Sequence, residues 1–174
     1  RGYMLSYGRA WANASNTPFR RYKHHTNEGG IATPLIAHWP KGVSAKGEFR
    51  WQPAFLPDLM ATAVDATEAT YPNKFHGYKI PPMQGVSLIP AFANKSLGNR
   101  PLYWEHERNR AIRIGDWKLV TEGDRDWELY NLADDRSEAN NLAATHPKLV
   151  KAMANQWEAW ARRSQVIPRS RNKN

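Results

Sequence analysis

Four short segments between residues 102 and 132 constrain this chain more than any other feature. Leu102-Tyr103-Trp104-Glu105-His106-Glu107, Arg110-Ala111-Ile112-Arg113-Ile114, Trp117-Lys118-Leu119-Val120 and Trp127-Glu128-Leu129-Tyr130-Asn131-Leu132 are aromatic and β-branched and follow one another closely. Gly115-Asp116 leaves only a two-residue connection, so a tight hairpin joins the middle pair. The expectation is a small antiparallel meander. A helix follows from about Pro147, with Thr145 as its expected cap and Leu149, Val150, Met153, Trp157 and Trp160 on one side. Trp157 and Trp160 continue that apolar face, so they read as core rather than as platforms for sugar rings.

The first half is written differently. Residues 31 to 39 form an apolar run with Pro34 near its start and Pro40 just past its end, and Leu35-Ile36-Ala37-His38-Trp39 hardly alternates. That pattern predicts a strand buried on both faces of a parallel sheet. Leu56, Leu59, Met60, Ala63 and Val64 then recur at helical spacing around Pro57, a residue tolerated in a first turn. Residues 66 to 86 carry Pro72, Gly77, Pro81, Pro82 and Gly85 and read as an extended excursion, with a short apolar segment at Val86-Ser87-Leu88-Ile89. A linker near Asn94 to Asn99 separates the two styles. The expected division is 1–97 and 98–174, and no internal repeat is present.

Composition narrows the class. At 174 residues, with 41% hydrophobic residues and eight Trp, the chain can bury a sizeable core and does not read as disordered. The absence of Cys excludes disulfides, cysteine-ligated zinc and a cysteine nucleophile within it. No apolar run approaches the roughly 18 residues of a membrane span, and no signal-peptide pattern opens the chain. Arg1-Gly2-Tyr3-Met4-Leu5 reads as mid-domain sequence, so the expectation is a piece of a longer protein. The net charge of +9 suits nucleic acid, acidic lipid or a sulfated or phosphorylated substrate, and part of it lies in the tail-like Arg169-Ser170-Arg171-Asn172-Lys173-Asn174.

The chemistry-bearing stretch is Lys23-His24-His25-Thr26-Asn27-Glu28-Gly29-Gly30. Behind Arg20, Arg21 and Tyr22, Lys23 reads either as part of a solvated basic patch or as an oxyanion clamp, a compact ammonium holding sulfate or phosphate oxygens. Glu28-Gly29-Gly30 reads as a turn with close backbone approach. Imidazoles at 24 and 25 suit acid–base, metal or anion roles, but the pair lacks metal-motif spacing, and neighbours on an extended loop diverge. On the expected strand, Trp104 and His106 share one face and Glu105 and Glu107 the other.

Taken in order, Arg20-Arg21-Tyr22-Lys23, Glu28-Gly29-Gly30-Ile31 and Thr33-Pro34-Leu35-Ile36-Ala37-His38-Trp39-Pro40 closely resemble the C-terminal part of the type I sulfatases, the arylsulfatase family. Asp58-Leu59-Met60-Ala61-Thr62, Gly85 to Pro90, Trp104 to Glu107, Ala111-Ile112-Arg113, Trp117 to Val120, Glu128 to Leu132 and Glu138 to Leu142 resemble its later elements. The resemblance implies an α/β fold, the C-terminal part of an alkaline-phosphatase-like sulfatase, with a small antiparallel sheet packed by a C-terminal helix. It implies hydrolysis of aryl or carbohydrate sulfates by a formylglycine nucleophile beside Ca2+, both supplied upstream of this chain. Lys23 matches the family's sulfate-binding lysine, and His25 and His106 are expected at the rim of that pocket.

The implied partner is a sulfated small molecule or glycan rather than nucleic acid, and the implied location is periplasmic or secreted. Asn16-Thr17-Pro18-Phe19-Arg20 mimics the nucleophile motif with Asn where Cys or Ser must stand, so the chain by itself is expected to be inactive. Asn27 and Arg108 depart from the residues common in relatives. A phosphatase or phosphonate hydrolase on the same scaffold, or a non-catalytic polyanion-binding module, are the rival readings.

Overall fold

The computed structural model describes residues 8–166, which form α1 (Gly8–Ser15), α2 (Glu28–Ile31), α3 (Pro57–Ala66), β1 (Lys74–Phe75), β2 (Tyr78–Lys79), α4 (Ile89–Phe92), β3 (Pro101–His106), β4 (Asn109–Ile114), β5 (Trp117–Thr121), β6 (Glu128–Asn131) and α5 (Pro147–Arg163). They fall into two compact units that do not follow chain order: residues up to 33 group with those from 101 onward, and 34–100 form the other. The expected Arg169 to Asn174 tail lies outside the described residues, as does the opening Arg1 to Leu5.

In the first unit the meander is realised as one antiparallel sheet, ordered β3-β4-β5-β6. Its register pairs Trp104 with Ala111, Ala111 with Val120, and Leu119 with Leu129. Because side chains alternate across a strand, that register sorts the sheet into two faces. Ile112, Leu119 and Leu129 point to one face and meet Met153, Trp157 and Ala161 of α5. The turn of α5 brings positions 153, 157 and 161 to one stripe, each four residues from the last. Tyr103 stacks on Trp160 with 4.9 Å between ring centres, and the Arg110 guanidinium lies 4.9 Å from the Trp127 ring and 5.4 Å from Trp157. Both helix tryptophans are therefore packing residues, as the apolar stripe predicts.

The opposite face carries Ala111, Val120, Tyr130 and Leu132, with Trp104 packed against them. It also carries Lys118, wholly buried on the same parity as Val120. This second face is where the segment around residues 20–28 docks.

The second unit is built on α3. Asp58 is fully buried at its first turn, where Oδ2 accepts the Phe55 N–H at 2.7 Å and the Arg100 guanidinium, and Oδ1 accepts the Val86 N–H at 3.0 Å. Thr62 Oγ1 donates to the Asp58 carbonyl at 2.6 Å and accepts the Leu88 N–H at 2.8 Å, stitching the apolar segment at 86–89 to the helix. The excursion at 66–86 folds back once, through the β1–β2 hairpin.

Three expectations are corrected. Residues 31–39 form no strand, and Leu35 and Ile36 are 51% and 89% exposed. A parallel strand exists only through ladders to its neighbours, and no strand among the described residues lies beside it. Glu28-Gly29-Gly30 is a single helical turn, α2, rather than a simple reverse turn. The residue capping α5 is His146, with no side-chain cap bond, and Thr145, one position earlier, instead donates from Oγ1 to the Leu142 carbonyl at 2.9 Å. Among the described residues no helix is long and apolar enough to cross a membrane.

Candidate functional site

The segment bearing Lys23 is fastened to the sheet at three places. Arg20 Nη1 donates to Glu128 Oε2 at 2.9 Å and to the Tyr130 hydroxyl at 2.7 Å, and the same hydroxyl donates to Glu128 at 2.8 Å. Burial and the neighbouring Glu128 carboxylate push the Tyr130 phenol well above its ordinary pKa, so it remains a donor throughout the working range. Arg21 forms a bidentate pair with Glu122, at 2.7 and 2.9 Å, which fixes orientation as well as charge.

The third fastening is buried. Lys118 Nζ donates to Glu28 Oε1 at 2.9 Å and makes an ionic contact with Glu138 Oε1 at 2.8 Å. Glu138 Oε2 accepts the backbone N–H of Glu28 at 3.0 Å, and Arg136 reaches Glu28 Oε2 at 3.4 Å. Burial would raise the Glu28 pKa, but the Lys118 ammonium, with Arg113 and Arg136, outweighs it and holds the carboxyl below its ordinary range. Asp135 organises the turn that delivers Glu138 by accepting the Ala139 and Asn140 N–H groups at 2.9 and 2.8 Å.

Gly29 and Gly30 are required by this docking. A Cβ on Gly29 would lie 2.2 Å from the Arg21 carbonyl oxygen, and one on Gly30 2.0 Å from that of His25. The α2 turn thus packs directly on the backbone that carries Lys23, a closeness only glycine permits.

On this frame Lys23 is exposed, with its neighbours pinned on both sides. The adjacent histidines diverge. His25 turns inward, edge-on to Tyr22 with centroids 5.1 Å apart, its Nδ1 3.3 Å from Glu122 Oε1. Burial lowers its pKa, and Glu122 only partly opposes this against Arg21, His24 and Arg9. His24 turns outward, held at φ +79° with its carbonyl accepting from Asn109 Nδ2 at 2.6 Å. Its ring stacks on His106, centroids 5.5 Å apart, and its Nδ1 lies 3.1 Å from Glu107 Oε2.

The structure therefore brings His24, not His25, to His106. The sequence does not distinguish His24 from His25 in this respect, because nothing in it reports the left-handed backbone at position 24. The missed buried network has one sequence signal: Lys118 shares strand parity with the apolar Val120. Asn16, at the head of the nucleophile-like motif, donates from Nδ2 to the Ala12 carbonyl at 2.9 Å and closes α1.

The donor chemistry of the described residues does not suit calcium, which takes six to eight oxygens at about 2.3–2.6 Å. The cluster of metal-capable groups found among them, His24, His106 and Glu107, is richer in nitrogen than oxygen.

Comparison with known proteins places this arrangement. No protein-family model matches the chain. An uncharacterized sulfatase of Schizosaccharomyces pombe is 30% identical over 179 aligned residues, covering 94% of this chain and 31% of that protein. The chain is a sulfatase homologue. The N-acetylgalactosamine-6-sulfatase of Canis lupus familiaris is 30% identical over 60% of this chain and 19% of its own length. Among solved structures, Ps i-CgsB superposes with a TM-score of 0.71 at 28% identity, covering 83% of this chain and 32% of that one. A second structure of Ps i-CgsB, in complex with k-i-k-neocarrahexaose, matches at 0.70. The fold is the C-terminal part of the alkaline-phosphatase-like fold of the sulfatases, seen here as mixed helices, the four-stranded sheet and α5. The chain spans about a third or less of the length of these relatives.

Proposed function

We propose that this chain serves sulfate-ester hydrolysis as part of a longer sulfatase, and that Lys23 binds the sulfate group. The observation that carries the reading is the similarity to a sulfatase along 94% of the chain, with Lys23 five positions before Glu28 on a segment tied down at residues 20, 21 and 28. In this reading 1–97 completes the main α/β domain and 98–174 is the antiparallel-sheet subdomain. Formylglycine and Ca2+ come from outside the chain. When present they supply the nucleophile and charge neutralisation, and this chain contributes a positioned cation.

A lysine ammonium offers three donors on one compact charge and suits tetrahedral oxyanions. The contacts of Arg20, Arg21 and Glu28 fix the backbone from which Lys23 projects, which limits the region its ammonium can reach. His106 and His25 have weaker roles at the rim, His106 as a contact and His25 as a support for the loop through Glu122. The substrate class is a sulfated small molecule or glycan, in keeping with the oligosaccharide complex of Ps i-CgsB. The chain alone, without a nucleophile, turns over no ester.

The test is Lys23→Ala in the complete protein, assayed with an aryl sulfate. Loss of one oxyanion donor costs on the order of 3 kcal/mol, so kcat should fall by roughly 100-fold or more. Unchanged turnover would refute the assignment.

A further inference from the structure

We propose that His24, His106 and Glu107 form a binding site for a borderline transition-metal ion, with Zn2+ as the reference ion. Their donor atoms all lie within 4.8 Å of one another, brought together from the Lys23 loop and the β3–β4 turn. Two imidazoles and one carboxylate are a donor set suited to zinc rather than to calcium or magnesium. Zn–N and Zn–O bonds of about 2.0–2.2 Å put tetrahedral donors roughly 3.3 Å apart. Glu107 Oε2 and His24 Nδ1 already stand at 3.1 Å. All three side chains are exposed, so the remaining closure is a rotamer adjustment rather than a rearrangement of packed core.

The backbone around the donors is fixed independently of any ion. Asn109 holds the His24 carbonyl at 2.6 Å, and Glu105 Oε1 accepts the Arg108 N–H at 2.9 Å, closing the turn that carries Glu107. Such a site supplies three protein ligands and leaves a position open to water or an anionic oxygen. It sits one residue from Lys23, so an ion there would add a second positive centre beside the proposed sulfate-binding lysine. In the loaded protein the ion held by His106 would face a ligand through that open position. The proposal rests on the local donor geometry and survives even if the sulfatase reading fails.

The experiment is calorimetric titration of Zn2+ into the 174-residue chain carrying no affinity tag, with Co2+ absorption as a second readout. The expected result is saturable binding of one ion per chain and visible cobalt bands of a four- or five-coordinate site. His24→Ala, His106→Gln and Glu107→Gln should each weaken binding by about tenfold or more. His146→Ala, at a histidine packed on Trp117, should leave it unchanged. Each variant is checked for an unaltered urea midpoint, so that a loss of affinity is read only in folded protein. Absence of saturable binding, or binding that persists in the His24→Ala/His106→Gln double variant, would overturn the proposal.

Discussion

Replacing Lys118 with methionine keeps most of the side-chain volume and removes one charge from the most buried polar cluster in the first unit. Lys118 is 0% exposed, Glu28 3% and Glu138 1%, so the substitution leaves two carboxylates close together with no ammonium between them. Removing one partner of a buried ion pair costs about 3–5 kcal/mol, because the surviving charge remains desolvated. Here two charges survive, Arg136 reaches only Glu28, and that contact is 3.4 Å long. The upper part of that range is therefore expected near pH 7. For a chain of this size each kcal/mol moves Tm by roughly 2–4 °C, which predicts a fall of about 10–20 °C. Urea unfolding of the 174-residue chain followed by tryptophan fluorescence measures the free-energy loss, and a thermal melt followed the same way measures the fall in Tm. Two further results identify the cause. Acidification should shrink the deficit as the Glu28 carboxyl, no longer held ionised by the Lys118 ammonium, takes up a proton, and adding Glu28→Gln and Glu138→Gln should restore most of the stability. A loss below about 1 kcal/mol, or one that ignores pH, would refute the electrostatic reasoning, because a packing defect has no titration.

Other outcomes follow from the same geometry. Gly30→Ala forces a Cβ to within 2.0 Å of the His25 carbonyl oxygen and should destabilise the chain by about 1–3 kcal/mol, read as a lowered urea midpoint; an unchanged midpoint would mean the α2 turn is not packed as described. Trp157→Ala empties the centre of the α5 contact and should cost about 3–5 kcal/mol with loss of the near-ultraviolet tryptophan signal. Acidification should destabilise the fold: His25 and Glu28 both have lowered pKa values when folded, so the unfolded chain binds more protons as pH drops. The His25 part is lost between its ordinary value of 6.5 and its lower folded value, the Glu28 part from its ordinary 4.5 downward. Urea midpoints from pH 8 to pH 4 should decline through both windows, with His25→Gln removing the upper one; a flat profile would contradict both assignments.

Legibility of the fold in the sequence followed the range of the forces that shape each element. The meander and α5 could be read because alternation and 3.6-residue periodicity are local records of which face is buried, and the residues carrying them, from Leu102 to Trp160, meet one another within the chain. The 31–39 run misled for the opposite reason. Its apolar character is real, but strand formation depends on partners, and Leu35 and Ile36 find none among the described residues. Lys23 stands out only through the resemblance of its segment to the sulfatases, since its spacing alone fits a solvated basic patch equally well, and the pairing of His24 with His106 spans 82 positions and turns on a single left-handed residue. Glu138 could not be assigned to Lys118 from sequence, since a buried pair across a turn leaves no periodic trace.

The polar network also fixes the backbone of the exposed segment from which the Lys23 cation projects. A lone surface lysine has four rotatable bonds and little to fix its backbone, so its position is ordinarily averaged over many rotamers. Here Arg20, Arg21 and Glu28 engage Glu128 at the start of β6, Glu122 just past the end of β5 and Lys118 within β5. Three separated anchors define the segment's orientation as well as its distance from the sheet, and the Gly29-Gly30 contacts remove the remaining slack. Buried ion pairs often add little net stability compared with apolar residues of equal size. Their value here is directional: an apolar replacement could pack the same volume but would fix no register between the Lys23 loop and β5. In the sulfatase reading that register sets where the ammonium meets the sulfate, so damage at Lys118, far along the chain from Lys23, would reach turnover by displacing the lysine while leaving its charge intact.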